Sequence, residues 1–554
     1  MGECEISKNE VVVAASTAIE GQFNDHESIS ILTPGGRFKV SWDERENVTT
    51  MGHLGFFAEY LHATEIFKNW VTDCPLSYSS GNAPAVLDVL GTWMLSILDG
   101  HFRYAHVTRL RGDAVVPAIL GMRTLVGDES LRRGLKIIAP APKASDTEEE
   151  LAQKVAKNKL AQDWMKKSLQ DSVLPALGKD WILDCDTTVK VLYGHQSGAE
   201  VGYNPRKPGR PSHAIHTYWV ANLRLVLHAQ VQGGKSSSAT HSLPGLIDLI
   251  LGLPPEMRPC LVRGDCAYGN ETVIYELEVI GQPYLFKLKQ TPNVKRLVMS
   301  HWPTDGWCNV GQGWEAHEDQ LKLVGWTKTR RVIVMRRQIK KGFLVEIPKS
   351  KRAKRNSKSA KGTQPEQINL ALIDSNDPIK VWDYAVLVTD THFTLDAIGQ
   401  LYRDRADCEN GFDELKNQWG WGGYTTQDIE RCNLSAQAVA LTYNWWSWYM
   451  RLANPKERME AITSRPLLLT AVGRVTEHAG QKRLLISITH GAADQVKALI
   501  SNVRAGLQHI LATAPQLANG NRWRALISYI VANILAAKAF SHANSHAPPA
   551  LLMG

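Results

Sequence analysis

Between Asp180 and Lys289 the hydrophobic residues change period, and this change limits the possible folds more than any other feature of the chain. DWILDCDTTVKVLYG and HTYWVANLRLVLHAQVQ read as three strands, apolar and β-branched, closed by a Gly-Gly pair. LPGLIDLILGL then has the pattern of a helix, CLVRGD that of a short apolar strand, ETVIYELEVI that of a second helix and YLFKLK that of a further strand. Three strands, a helix, a strand, a helix and a strand predict a mixed α/β sheet covered by helices. At 554 residues the chain exceeds one ordinary core, so further units are expected on both sides.

Those units follow from composition and breakers. Residues 1–50 are polar, with turn residues in TPGGRF, and read as an N-terminal arm; 51–140 are helical, carried by LGFFAEYLHATEIFKNWV and PAVLDVLGTWMLSILDG. Residues 141–180 form a linker and a helix, EEELAQKVAKNKLAQDWMKKSLQ, and 181–291 hold the first part of the sheet. The segment 292–378 is β-like, rich in Trp and base, with the low-complexity KSKRAKRNSKSAKG inside it. YAVLVTDT resumes the strand signal within 379–423, and 424–554 read as helices.

Composition removes several function classes. Hydrophobic residues at 44% and charged residues at 21% exclude a largely disordered chain. The longest apolar run, ALISYIVANILAA, is too short to span a bilayer and reads as a buried helix, so no membrane partner is expected. MGECEISKNE lacks a basic and apolar leader, which predicts a cytosolic protein. The eight cysteines show neither disulfide nor zinc spacing. The net charge of +8 is uneven: fourteen Lys or Arg face one acid, Glu346, between Lys328 and Lys361, and Lys349, Lys351, Arg352, Lys354 and Arg355 are the densest part. Such a run is either a solvated loop or a contact for a polyanion.

The stretch YRDRADCENGFDELK carries the sharpest chemistry. Taking Tyr402 as the origin, Arg405, Glu409 and Lys416 fall near −60°, −20° and −40° at about 100° per helical residue, on one stripe about 21 Å long. A phenol, a guanidinium, a carboxylate and an ammonium in that order can hold a metal and grip phosphates, or form a solvated face laced with ion pairs. Phosphoryl transfer with two divalent cations needs further carboxylates from rigid strand ends. Asp186 in LDCDTT and Asp265 in CLVRGDC both end apolar runs; taken singly, each also suits a turn or a helix cap. Strand alternation puts Asp184 on the same face as Asp186 and does not separate them.

These residues resemble the DDE transposases of bacterial insertion sequences, in the superfamily defined by a Tyr-x2-Arg-x3-Glu-x6-Lys (YREK) signature, which Tyr402, Arg405, Glu409 and Lys416 match at every spacing. DTT at Asp186, YGHQSGAEVGYNPRKPGRPSHAIH, RGD ending at Asp265 and the helical region down to LRRGLK extend the resemblance over roughly residues 50–450. It implies a ribonuclease-H-like mixed-sheet core interrupted by a β-rich insertion and flanked by helical N- and C-terminal regions, with DNA binding expected of 51–140. It further implies that Asp186, Asp265 and Glu409 hold two Mg²⁺ ions, with Mn²⁺ able to substitute, and that Tyr402, Arg405 and Lys416 bind DNA phosphates near the cut. The expected partners are double-stranded DNA with terminal inverted repeats, target DNA and a second copy of the chain on DNA; a bacterial, nucleoid-associated location follows. Asp186 is preferred to Asp184 because it directly precedes Thr-Thr, as in the family. The alternatives are a domesticated DNA-binding protein that no longer cuts, and a nuclease of the same fold that only hydrolyses.

Other polar and aromatic residues near these motifs have simpler expectations. Cys185, Cys266 and Cys408 beside the acids read as small buried residues, and His213 and His216 as structural. Trp302, Trp307, Trp314 and Trp326 in the insertion are expected to serve mostly in packing, although members of the superfamily that cut through a DNA hairpin stack a flipped base on an aromatic ring.

Overall fold

The computed structural model describes residues 29–41, 47–178, 180–204, 207–302, 305–339, 372–374, 377–487, 492–513 and 519–544. The N-terminal part contains strands β1 (Ile29–Thr33), β2 (Gly36–Val40) and β3 (Val48–Thr49), then helices α1 (Leu54–Thr64), α2 (Ile66–Thr72), α3 (Val86–Leu98), α4 (Val115–Ile119), α5 (Asp128–Ile138) and α6 (Glu148–Asp171). α6 starts where predicted because Thr147 and Glu150 form a reciprocal capping box.

The centre runs through β4 (Ile182–Val191), β5 (Glu200–Val201), β6 (Pro211–Val220), β7 (Leu225–Gly233), α7 (Ser238–Ser242), α8 (Gly245–Leu251), β8 (Leu261–Gly264), α9 (Glu271–Val279) and β9 (Tyr284–Lys287). Next come α10 (Pro292–His301), β10 (Cys308–Asn309), β11 (Trp314–Leu321), β12 (Arg330–Ile339), β13 (Leu372–Asp374) and β14 (Asp377–Thr389). The chain closes with α11 (Leu395–Asp404), α12 (Ala406–Gln418), α13 (Ile429–Ala453), α14 (Ala461–Leu468), β15 (Gly473–His478), β16 (Gln481–Ile486), α15 (Ala493–Thr513) and α16 (Asn519–Asn544).

One mixed sheet organises the molecule. β7, β6 and β4 are antiparallel neighbours, and β8 and β9 follow parallel to β4. The order third, second, first, fourth, fifth with that polarity is the ribonuclease-H-like arrangement that the family resemblance implied. The strands of the 292–378 segment do not form a sheet of their own: β14 pairs with β9, β12 with β14 and β11 with β12, so they prolong the core sheet at its β9 edge.

The helices from both ends of the chain share a core with this sheet. α13 lies across β7 and is buried along nearly its whole length; its Asn444 bonds the backbone of Val226 through both amide atoms, and its Asn433 accepts from the Val231 N–H. A continuous cluster of buried apolar side chains runs from Met51 through Trp219 and Trp448 to Ile530.

Three regions differ in detail from their sequence patterns. The polar arm contains a β-hairpin, β1–β2, and a strand, β3, that pairs with β15. The C-terminal region is not helical throughout, because GRVTEH and QKRLLI form a hairpin whose turn, Ala479-Gly480, has φ of 50° and 74°. Two successive positive φ values match the twist of a tight two-residue hairpin, and HAGQ lacks the Asn-Gly or Asp-Gly pair that would announce it. α16 is also only half buried: Leu526, Ile527 and Ile530 are in the core, while Leu535 is half exposed.

Candidate active site

β4 and β8 pair in parallel register, with Asp184 beside Arg263 and Cys185 beside Gly264. One residue further on stand Asp186 and Asp265, which the register therefore places next to each other where β8 ends; the expected strand end at Asp186 needs correction, because β4 stays paired with β6 as far as Val191. Gly264 lies under the Tyr268 ring, where a Cβ would come 2.7 Å from Cδ2, so the strand turns tightly there. The Asp265 carboxylate accepts from the Ala267 N–H at 2.9 Å, and Asn270 caps α9 through the Val273 N–H.

The third acid arrives from the far side of the insertion. Glu409 lies in the first turn of α12 with its side chain 68% exposed, and Arg405 links it to the strands. Arg405 Nη1 is 3.4 Å from Glu409 Oε1, and Nη2 is 3.8 Å from Asp186 Oδ2. Burial raises the Asp186 carboxyl to about 6; Arg405 opposes this, and Asp265 and Glu409 add to it. Burial works against the Arg405 charge, but the acids, Asp186 foremost, hold its pKa above the ordinary arginine value. The electrostatics thus join all three predicted acids and Arg405 in one site.

The expected single stripe is divided. The helix breaks at Arg405, whose N–H turns to the Arg403 carbonyl. The Leu401 carbonyl, the regular partner of that N–H in an unbroken helix, instead accepts from Arg263 Nη1 at 2.6 Å. A side chain inserted into the hydrogen-bond ladder is a known cause of such breaks. Tyr402, before the break, packs edge-on against Trp314 with centroids 5.7 Å apart. Lys416, near the end of α12, is exposed, with Nζ 6.0 Å from the Phe412 ring centre.

Asp184, indistinguishable from Asp186 by alternation, has a different environment. It is 1% exposed and forms a two-pronged ion pair with Arg263, Oδ1 to Nε and Oδ2 to Nη2, both at 2.7 Å. Removing one partner of such a buried pair costs about 3–5 kcal/mol. Nothing in the sequence singles out Arg263; the only signal is that it precedes Asp265 by two residues, as Asp184 precedes Asp186.

The other expected residues fall into place around this centre. Seven cysteines lie among the described residues and all are free; Cys185 and Cys408 are buried. His213 and His216 are fully buried. His216 Nδ1 is 3.0 Å from the hydroxyl of Thr187, and burial holds its imidazole down at about 3, so it stays neutral. Trp314 and Trp326 pack in the interior, and Arg336 lies 3.9 Å from the Trp307 ring centre and 4.4 Å from that of Trp382.

The basic run divides as well. Its β12 arginines meet acids from neighbouring elements: Arg330 pairs with Glu271 and Glu278, Arg331 with Glu318, Arg336 with Glu315 and Arg337 with Asp383. Lys349, Lys351, Arg352, Lys354 and Arg355 lie outside the described residues.

Three carboxylates are a donor set of the type a hard divalent cation takes, and Asp265 and Glu409 both add to the rise of the Asp186 pKa. Among the described residues no three His, Cys, Asp or Glu side chains converge closely enough to hold a metal, and the Arg405 guanidinium stands between Asp186 and Glu409. No helix among them is long and apolar enough to cross a membrane.

The frame of the site is thus a ribonuclease-H-like mixed sheet with Asp186 inside its first strand, Asp265 just past its fourth and Glu409 on a late helix. A family model described as transposase DDE domain group 1 matches residues 85–507, and the chain belongs to that family. A search of curated proteins found no match. Among solved structures, the chain is similar to a piggyBac transposase synaptic complex with hairpin DNA, at 10% identity and a TM-score of 0.38, over 88% of this chain and 85% of that one.

Proposed function

We propose that this transposase-family protein cuts and joins the DNA ends of its own insertion sequence, with Asp186, Asp265 and Glu409 as the catalytic acids. The observation that carries the reading is the register of β4 and β8, which sets Asp186 beside Asp265, together with the Arg405 bridge from Asp186 to Glu409. The three acids would hold two Mg²⁺ ions, with Mn²⁺ able to substitute. When bound, these supply activation of a water or 3′-OH and stabilisation of the leaving oxygen.

The side chains around the acids divide the remaining work. Arg405 presents a planar fork of donors suited to a phosphate. That fork stands 3.4 Å from Glu409 Oε1 and 3.8 Å from Asp186 Oδ2. Lys416, two helical turns beyond Glu409, adds an exposed positive charge on the same side of α12. Tyr402, anchored on Trp314, directs a phenol from the insertion side. The partners on this reading are double-stranded DNA with terminal inverted repeats and target DNA, and a homodimer holds two ends together.

Purified protein incubated with end-containing DNA and Mg²⁺ is expected to release the element's ends and join them to a second duplex. Asp186→Ala is expected to do neither while still binding the DNA. Release without joining would indicate a nuclease that only hydrolyses, and full activity in Asp186→Ala would refute the assignment of the acids.

A further inference from the structure

We infer that Arg263, held by Asp184, is the positioning residue that sets the three acids against one another; this rests on the reading of Asp186, Asp265 and Glu409 given above. Arg263 joins β8 to β4, the two strands that carry Asp265 and Asp186, and both to α11, the helix that leads into α12 and Glu409. It lies on β8 two residues before Asp265, and it grips Asp184, which lies on β4 two residues before Asp186. Two residues of strand return a side chain to the same face. Its remaining prong, Nη1, holds the Leu401 carbonyl on α11, four residues before Arg405 and eight before Glu409.

The geometry of this arrangement is specific. Nε and Nη2 take both oxygens of Asp184 at 2.7 Å, and Nη1 takes the carbonyl at 2.6 Å, so the planar fork is used on two sides at once. Arg263 and Asp184 are 2% and 1% exposed, so water does not compete. The carbonyl it holds is the one released where the helix breaks, and the break residue is Arg405, the bridge between Asp186 and Glu409. A buried ion pair is a poor device for stability alone, because apolar residues of equal volume serve as well. An arginine that must reach a carboxylate on one element and a carbonyl on another fixes the distance between them. Lysine keeps the charge but cannot make the three directed bonds.

The test uses the full chain with Arg263→Lys and Asp184→Asn, beside the wild type and Asp186→Ala. Mn²⁺ binding is followed by electron paramagnetic resonance, end-DNA binding and cleavage turnover are measured, and melting reports folding. Both positioning variants are expected to remain folded and to bind end DNA normally, while Mn²⁺ affinity and cleavage turnover each fall about 10- to 100-fold, as for the loss of outer partners of metal ligands. A folded Arg263→Lys with Mn²⁺ affinity and turnover indistinguishable from the wild type overturns the inference. If Arg263→Lys does not fold, Asp184→Asn decides by the same criteria, and failure of both to fold also overturns it, marking the pair as a stability element. If Asp186→Ala still binds Mn²⁺ and cleaves, the assignment of the acids fails; if it is inactive while Arg263→Lys is unaffected, only the positioning inference fails.

Discussion

Gly411 of α12 rests on the indole of Trp219 in β6 so closely that a Cβ at residue 411 would stand 2.4 Å from Cζ2. Trp219 is fully buried and cannot retreat freely. Gly411→Ala would gain about 1 kcal/mol of helix propensity, but overpacking a closed interface costs about 1–3 kcal/mol. The clash is expected to win by about 1 kcal/mol, visible as earlier chemical denaturation. Because Glu409 lies two residues away on the same helix, cleavage is expected to fall further than stability does. A variant of normal stability and normal cleavage would show that α12 has room to shift.

Alanine at Asp186, Asp265 or Glu409 is expected to lower cleavage by more than the roughly 10- to 100-fold typical of outer partners of a metal ligand, with end-DNA binding retained. Parallel gel-shift and cleavage assays on the three variants check this. Near-normal cleavage by any one of them removes that residue from the site.

The raised Asp186 carboxyl makes stability depend on pH in the absence of divalent cations. The folded chain holds this proton up to about 6 and the unfolded chain releases it near 3.8, so the contribution is fully present below 3.8 and lost as the pH rises through about 6. Melting of the wild type, compared with Asp186→Asn at each pH, is expected to fall behind the variant progressively across that window. Added Mg²⁺ should close the gap, because the cation takes the place of the proton. A gap independent of pH would contradict the shift.

Arg405→Ala removes the guanidinium that opposes the rise of the Asp186 pKa, and the upper edge of the window just described is expected to move to higher pH while its lower edge stays at the unfolded value. Cleavage should fall in Arg405→Ala and also in Arg405→Lys, since a point charge cannot replace a planar fork on phosphate oxygens. Lys416→Ala, at an exposed position, should reduce cleavage and DNA affinity with no change in melting. Normal cleavage in both alanine variants, with melting lowered for Arg405→Ala alone, would return the two residues to a purely ion-pairing role.

Replacing Lys349, Lys351, Arg352, Lys354 and Arg355 with Ser or Gln is expected to weaken DNA binding and flatten its salt dependence, by about one unit of slope for each phosphate no longer neutralised. Sequence preference should hardly change. An unaltered plot of log affinity against log salt would identify the run as a solvated loop.

Much of the frame of the candidate site was legible in the chain because it depends on local periodicity. The order of strands and helices from Asp180 to Lys289 defined the sheet, and the spacing of Tyr402, Arg405, Glu409 and Lys416 marked the late helix. What local pattern lacks is the identity of partners from elsewhere. Asp184 and Asp186 are equivalent by alternation, and it is the Arg263 side chain, 79 residues away in sequence, that takes both oxygens of Asp184 and not those of Asp186. The helix break at Arg405 depends on the same remote guanidinium taking the Leu401 carbonyl, an event no helical pattern encodes. The basic count between Lys328 and Lys361 did not include Glu271, Glu278, Glu315, Glu318 and Asp383, which meet its β12 arginines from neighbouring elements. Periodicity along the chain assigned the elements and the residues able to do chemistry; tertiary structure decided which carboxylates are already paired, because a charge is answered by whatever folds against it and not by its neighbours in sequence.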